Sequence, residues 1–169
     1  MTYFIADPHF FHDAAPAFPT RNFESLEDMH EDIITKWNSS ISQDDTVYVL
    51  GDYCFGRDYK RMVHLTESLH GRKILIKGNH DLLTSKQYCS PNCFTKYYDV
   101  PIIINNNIIL SHEPVTALSG DGLLNIHGHT HGAAFSGRTG KHICVSCDCT
   151  NMAPVSINEI YRRMEVRLP

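Results

Sequence analysis

Apolar residues fall into two rhythms along this chain. Short β-rich runs, Thr2-Tyr3-Phe4-Ile5-Ala6, Thr46-Val47-Tyr48-Val49-Leu50 and Lys73-Ile74-Leu75-Ile76-Lys77, each stop at a polar residue or a glycine and predict buried strands. Between them the rhythm lengthens. Leu26, Met29, Ile33, Trp37 and Ile41 recur at three and four residues after Ser25, drawing the single apolar stripe of a helix that packs on a sheet. Tyr59, Met62, Val63 and Leu69 predict a second helix ending near Gly71. Strand, polar loop and helix thus alternate twice, which predicts an α/β fold with parallel strands whose C-terminal ends carry the chemistry. Residues 8–23, punctuated by Pro8, Pro16 and Pro19, predict a long irregular loop, and loops of that kind are usually functional. The pattern then changes: apolar residues 100–104 and 108–111 flank Asn105-Asn106-Asn107, a hairpin turn built from residues that tolerate positive φ. Leu123 to Ile126 and Ile143 to Cys149 predict further strands, and the capping-box sequence Ser156-Ile157-Asn158-Glu159 predicts a final short helix. With no repeat or linker, one domain over residues 1–169 is expected.

Composition narrows the class. Hydrophobic residues make up 42% and charged residues 20%, enough for a real core and unlike a disordered segment. The net charge of −4 lacks the basic excess of a nonspecific nucleic-acid or membrane binder, so a polyanionic substrate would need a local grip. The longest apolar stretch, Ile102 to Leu110, is interrupted by the asparagines and is too short to span a membrane, so a soluble protein is expected. Eleven histidines are a first hint of metal chemistry, imidazole being the commonest metal ligand. No signal peptide is expected ahead of the first strand, and the six cysteines are expected as reduced thiols in a cytoplasm. Cys144, Cys147 and Cys149 invite a zinc reading, but a strand there would point Cys144 and Cys147 to opposite faces, so small core cysteines are the better reading.

The informative residues stand where the apolar runs end. Asp7 and His9 follow the first, Asp52 the second, Asn79, His80 and Asp81 the third, His112 the hairpin, and His129 and His131 the next. Any one of these fragments is explained by a turn or a helix cap. Together they deliver oxygen and imidazole groups from five junctions to one edge of a sheet, an arrangement that can hold a metal cluster. His12, Arg21 and Arg57 lie in loops leaving those strand ends and are the candidates for phosphate contact.

In this order, Asp-x-His, Gly-Asp, Gly-Asn-His-Asp, His and Gly-His-x-His, the sequence resembles the calcineurin-like metallophosphoesterase superfamily, and most of all its small, cap-free bacterial and phage members. In those the first block extends to Asp-x-His-Phe-x-His, matched by Asp7, His9, Phe10 and His12, with Arg21-Asn22-Phe23 and Trp37-Asn38 flanking the first helix. The resemblance implies a four-layer α/β/β/α sandwich of two mixed β-sheets. It also implies a dinuclear centre with Asp7, His9 and His131 on one metal, Asn79, His112 and His129 on the other, and Asp52 bridging both. That donor mixture suits two divalent transition-metal ions, Mn before Fe, Zn or Ni. By the same resemblance a metal-bridging hydroxide is the nucleophile and His80 the general acid. Phe55 stands where many larger relatives carry a carboxylate that supports this histidine, and Glu113 where small relatives often have an aromatic residue. The expected activity is hydrolysis of a phosphate ester, a small molecule or nucleotide. Phosphodiesterase is favoured over phosphomonoesterase, since neither a cap segment nor an Arg and Lys cluster surrounds a terminal phosphate. Extended nucleic acid is disfavoured for want of a basic stripe. The rival from another class, a noncatalytic interaction module, requires missing ligands, and none is missing.

Overall fold

Alternation along β1 (Thr2–Ile5) sends Phe4 to one side and Ile5 to the other, and the molecule is organised around that division. In the computed structural model, which describes residues 1–115, 122–133 and 141–165, each side has its own core. Ile5 joins Val47 and Val49 of β2 (Thr46–Val49) and Leu75 of β3 (Arg72–Ile76) under two helices, α1 (Leu26–Ser40) and α2 (Tyr59–Ser68). Met29, Ile33 and Trp37 supply the buried face of α1, at the spacing the sequence shows, and Ser25 caps it by accepting from the Asp28 N–H. On the opposite side Phe4, Ala6, Leu50 and Ile76 meet the second sheet through β6 (Ile108–Leu110), β7 (Leu124–His127) and β8 (Lys141–Cys144).

Both sheets are mixed. The first runs β4 (Phe94–Tyr98), β3, β2, β1, β9 (Val155–Ser156), with β1 to β4 parallel and β9 antiparallel. The second runs β5 (Ile102–Ile104), β6, β7, β8, with an antiparallel β5–β6 hairpin and the rest parallel. Asn105 and Asn106 turn that hairpin at φ of 49° and 63°, the left-handed conformation asparagine tolerates. A single-turn α3 (Ser85–Tyr88) and α4 (Ile157–Glu165) complete the elements, the latter capped where the Ser156 Oγ accepts from the Glu159 N–H at 3.2 Å.

One predicted strand is wrong in extent. Residues 143–149 read as continuous strand, yet β8 ends at Cys144 and Cys147–Cys149 form a 3-10 turn. The cause is long-range: the Ala6 N–H donates to the Val145 carbonyl and the Cys147 N–H to the Ala6 carbonyl, drawing the chain off its own ladder onto the end of β1. Strands β4 and β9 and helix α3 lie outside the elements expected above, although Thr84-Ser85-Lys86-Gln87 forms a capping box and Phe94–Tyr98 is rich in β-forming residues. Among the described residues no helix is long and apolar enough to cross a membrane.

Candidate metal centre

Parallel register aligns the strand ends. Ile5 pairs with Val49 and Val49 with Leu75, so the residues that follow β1, β2 and β3 emerge side by side. In the second sheet Leu110 pairs with Ile126 and Ile126 with Ile143. The Ala6–Ser146 bridge then sets the two edges together. The backbone bends left-handed as it leaves these strands: Asp7, His9, Asp52, His129 and His131 sit at φ of 55°, 51°, 53°, 65° and 47°. Such conformations cost on the order of 1–3 kcal/mol each and persist where the surroundings impose them, most often at functional sites. Two glycines in these blocks are required by close approach. A Cβ on Gly78 would lie 2.2 Å from Asp52 Oδ1, and one on Gly128 2.5 Å from the Ala6 Cβ.

The side chains converge. Asp7, His9 and His131 bring donor atoms within 4.8 Å of one another, as do Asp7, Asp52 and His112. Asn79 Oδ1 lies 2.9 Å from His112 Nε2 and 3.1 Å from His129 Nδ1, and those two nitrogens are 3.1 Å apart. Ligands held about 2.1 Å from one ion at right angles lie about 3.0 Å apart, so this triangle has the size of a ligand face. Asp52 Oδ2 stands 3.7 Å from His9 Nε2 and 3.5 Å from His112 Nε2, between the two groups.

Protonation tests whether these residues suit a cation. His112 Nδ1 faces the Leu50 carbonyl at 2.9 Å and must donate to it, which turns the lone pair of Nε2 toward the Asn79 oxygen. With the ring neutral, Nε2 and the Asn79 oxygen are two acceptors that a bound cation would satisfy together. Asp7 Oδ1 and both ring nitrogens of His9 are buried without a hydrogen-bond partner among the described residues. Burial pushes the Asp7 carboxyl up to about 8, with Asp52 adding to the rise, and holds the His9 imidazole down at about 2. A carboxylate that burial would protonate and an imidazole kept neutral with its lone pair free are donors to a metal ion.

Comparison with known proteins agrees. Residues 2–155 match the sequence model of the Metallophos family, described as calcineurin-like phosphoesterase. The chain belongs to the calcineurin-like phosphoesterase family. An uncharacterized protein of Methanocaldococcus jannaschii, MJ1445, is 31% identical over 171 residues, covering 96% of this chain and 90% of the relative. The gene 66 protein of Mycobacterium phage L5 is 28% identical over 162 residues, 77% of each chain. The crystal structure of AQ665, a protein of unknown function from Aquifex aeolicus, superposes with a TM-score of 0.73 at 27% identity, covering 96% of this chain and 98% of that one.

All the calcineurin-like sequence blocks thus reach one cleft, but two carboxylates that organise it were not recognised from the sequence. Asp148, its carboxylate shielded from solvent, accepts from His131 Nδ1 at 2.7 Å, from Arg21 at 2.8 and 3.1 Å, from Ser146 at 3.0 Å, and from Thr20. Burial alone would raise its pKa, but the hydrogen bonds from His131 and Arg21 outweigh it and hold the carboxyl well below the usual range. The same contact raises the pKa of His131 and fixes its tautomer, with Nδ1 donating to Asp148 and Nε2 left toward Asp7 and His9. Asp81 accepts from the backbone N–H groups of Gly78, Asp52 and Tyr53 at 2.8 to 3.0 Å and from the Tyr88 hydroxyl at 3.2 Å, gathering two ligand loops around one side chain. Asp81 belongs to the Gly78-Asn79-His80-Asp81 block, which marks its place but not this role, and a lone Asp in a loop gives no local sign of the role of Asp148.

The substrate-contact expectations fare differently. Arg21 is not at the rim. It is 5% exposed, and besides Asp148 its guanidinium donates to the Asp7 and Pro8 carbonyls, pinning the first ligand loop. Arg57 is exposed and donates to the Leu82 carbonyl at 3.3 Å. His12 stands beside the cleft, its ring 5.3 Å from His9, with its pKa lowered by burial and by nearby His80 and Arg21. His80 donates its backbone N–H to Asp52 Oδ1 at 2.8 Å, and its ring lies 5.5 Å from His9, outside both ligand groups. Glu113 is exposed and lines a cavity of about 350 Å³ beside Asn79 and His112, with Lys77 and Asp99. Of the three cysteines expected in the core only Cys147 is buried; Cys144 and Cys149 are half-buried where the chain leaves β8, with their sulfurs 3.3 Å apart, while Cys54 and Cys93 are buried and Cys89 is exposed.

Proposed function

We propose that this calcineurin-like phosphoesterase is a phosphodiesterase holding two divalent transition-metal ions, Mn²⁺ by preference and Fe²⁺, Zn²⁺ or Ni²⁺ as alternatives. Asp7, His9 and His131 would hold one ion, Asn79, His112 and His129 the other, and Asp52 both. The observation that carries this reading is Asp52. Its Oδ1 is engaged by the His80 N–H, while Oδ2 stands 3.7 Å from a nitrogen of one group and 3.5 Å from a nitrogen of the other. Carboxylate, amide and imidazole donors together suit these borderline metals better than Mg²⁺ or Ca²⁺. Bound there, two such ions supply Lewis-acid polarisation of the phosphoryl group and an activated water at neutral pH.

The chain's own residues supply the rest. His80, tied through its backbone to Asp52 yet outside the ligand groups, would protonate the departing ester oxygen. The Asp148–His131 and Leu50–His112 contacts hold two imidazoles in the tautomers that keep Nε2 available. Burial of Arg21 favours a diester, because it withdraws the guanidinium best placed to neutralise the second negative charge of a monoester. A small phosphate ester or nucleotide in a reducing cytoplasm fits these features and the six free thiols.

The test is kcat/KM for bis-p-nitrophenyl phosphate against p-nitrophenyl phosphate with Mn²⁺. The diester should be the better substrate, and Asp52→Asn should lose bound metal and nearly all turnover. A monoester preferred by about tenfold or more, near 1.4 kcal/mol in the barrier, would make the protein a phosphatase instead. No metal-dependent turnover of either ester would rule out both readings.

A further inference from the structure

The two flanks of the cleft differ in chemistry. Beyond Asn79 and His112 lies a cavity where Lys77, Asp99 and Glu113 stand beside Ile76, Val100 and Pro101, a mixed charged and aliphatic wall without a phenylalanine, tyrosine or tryptophan ring. The His80 flank is aromatic. Among the exposed large hydrophobic residues described, Phe55 alone makes ring contacts with the imidazoles of the cleft: it is 39% exposed, yet its ring stacks on His12 at 4.1 Å and 9° and lies 5.5 Å from the His80 ring. His12 in turn lies 5.3 Å from His9, so Phe55 and His12 form a flat two-ring slab beginning at the ligand cluster and ending in solvent.

The slab is held in place. The Phe55 N–H donates to the Phe10 carbonyl at 2.8 Å, beside the parallel Phe10–Cys54 bridge, so the two loops carrying His12 and Phe55 are tied by backbone. Directly beneath, Phe10, Tyr53 and Cys54 are buried. Arg57 draws the next loop alongside through the Leu82 carbonyl, leaving Leu82, 41% exposed, as a second apolar residue on this rim. An exposed phenylalanine held in a defined plane by a stacked imidazole offers a ligand a π-face with no donor or acceptor of its own.

We propose that Phe55, stacked on His12, is a platform for the nucleobase of the departing ester arm, which makes the substrate a nucleotide diester with a nucleoside leaving group. This deepens the phosphodiesterase reading and rests on it for the direction of the arm. His80 would protonate the leaving oxygen, so the group bonded to that oxygen extends along the His80 side, and Phe55 is the aromatic surface it meets. A ribose bridges the space from that oxygen to the ring. Because stacking reads only a π-face, the platform accepts purines and pyrimidines alike. This gives His12 a role in shaping the leaving-group subsite rather than in gripping phosphate.

Two measurements on the full-length protein with Mn²⁺ test the proposal. The first is the ratio of kcat/KM for a dinucleoside monophosphate to that for the matching nucleoside methyl phosphate, whose leaving arm lacks a base. Phe55→Ala and Phe55→Leu should each lower the ratio by about tenfold, and Phe55→Tyr should keep it. A ratio preserved in Phe55→Leu would show that apolar area suffices and would overturn stacking; a ratio unaffected in Phe55→Ala would overturn the subsite altogether. The second measurement needs no turnover. Trp37, the chain's one tryptophan, is fully buried, so Phe55→Trp places a single exposed indole at the site. Its fluorescence should be quenched saturably by adenosine monophosphate and by the dinucleotide, but not by ribose 5-phosphate. Saturable quenching without hydrolysis of any diester would keep the base platform and refute the phosphodiesterase reading. Hydrolysis of both diesters with no base-dependent quenching would do the reverse, and failure of both would refute both.

Discussion

Asp81 and Asp148 are buried carboxylates of the same residue type beside the same cleft, and they organise the site by opposite physics. Asp81 is surrounded by neutral dipoles, three backbone N–H groups and a tyrosine hydroxyl, and burial raises its carboxyl to about 6. Asp148 is matched to charge, the Arg21 guanidinium and the His131 imidazole, and stays ionised well below the usual range despite its burial. The difference follows from what each must hold. Asp81 shapes the Asp52 and Asn79 loops through their main chain, both on the first sheet. Asp148 joins Arg21, in the loop after β1, to His131, which arrives from the second sheet, across a seam that the Ala6–Ser146 backbone bridge also crosses. A dipole cage organises neighbours, whereas a charge pair connects distant segments.

Breaking the charge pair should have the largest effect. Asp148→Ala strands Arg21 in the interior and should destabilise the fold by about 3–5 kcal/mol in urea unfolding. It also frees His131, so affinity should fall by about 10- to 100-fold for the ion held with Asp7 and His9, while the ion at Asn79, His112 and His129 is retained. Metal analysis after partial chelation should show one ion in the variant and, for the proposed dinuclear centre, two in the native protein. Loss of both together would show that the two ligand groups do not respond separately.

Opening the dipole cage comes next. Asp81→Ala leaves the Gly78, Asp52 and Tyr53 N–H groups without their acceptor, at about 1–3 kcal/mol for each that finds no water. A water filling the space left by the carboxylate would satisfy some of these buried N–H groups, so a total of about 3 kcal/mol is expected, with both ions of the proposed centre weakened because Asp52 is its proposed bridge. Equal loss of the two ions in Asp81→Ala beside selective loss in Asp148→Ala is the sharpest form of the contrast.

A smaller effect separates charge from geometry. Arg21→Lys keeps the positive charge but cannot hold both Asp148 oxygens and the Asp7 and Pro8 carbonyls together, and should cost about 2 kcal/mol in stability. Arg21 is enclosed by protein, so KM in the folded variant should move little. A selective rise in KM at unchanged stability would return the guanidinium to the rim.

The smallest effects lie in pH dependence and have opposite signs. Asp148 has a depressed pKa, so its contribution to stability is present above the unfolded carboxylate value near about 4 and drains away as pH falls toward its lower folded value. Asp81 has a raised pKa, so its contribution is full below about 4 and is lost as pH rises through about 6. In chelator, Asp148→Asn should therefore hurt most near about pH 7 and less in acid, whereas Asp81→Asn should improve relative to wild type between about pH 4 and pH 7. Urea midpoints across that range check both, and parallel pH profiles would remove the distinction.

The difference between these carboxylates also marks what could be read in advance. The Asp7, His9, Asp52, Asn79, His112, His129 and His131 blocks were legible because each directly follows an apolar strand, and strand and junction are both local patterns. Asp148 was not legible. It lies in a stretch whose alternation suggests strand until the end of β1, far away in the chain, captures it at Val145 and Cys147. Arg21 was misplaced for the same reason, since its partner is 127 residues away and nothing near it signals burial.

The sequence by itself determined the kinds of most elements and the order in which donor groups leave them, because period-two and period-3.6 patterning and turn chemistry act over a few residues. Family membership followed from the same local blocks. Only the tertiary structure decided which loop residues stand open and which face inward, which nitrogen of His112 and His131 meets a backbone carbonyl or a carboxylate, and that Phe55 is exposed while Arg21 is enclosed. Those outcomes depend on partners brought together by pairing between two sheets, and the free energy of such contacts is set by burial and by the charge or dipole met across the seam, quantities that no local stretch of sequence contains.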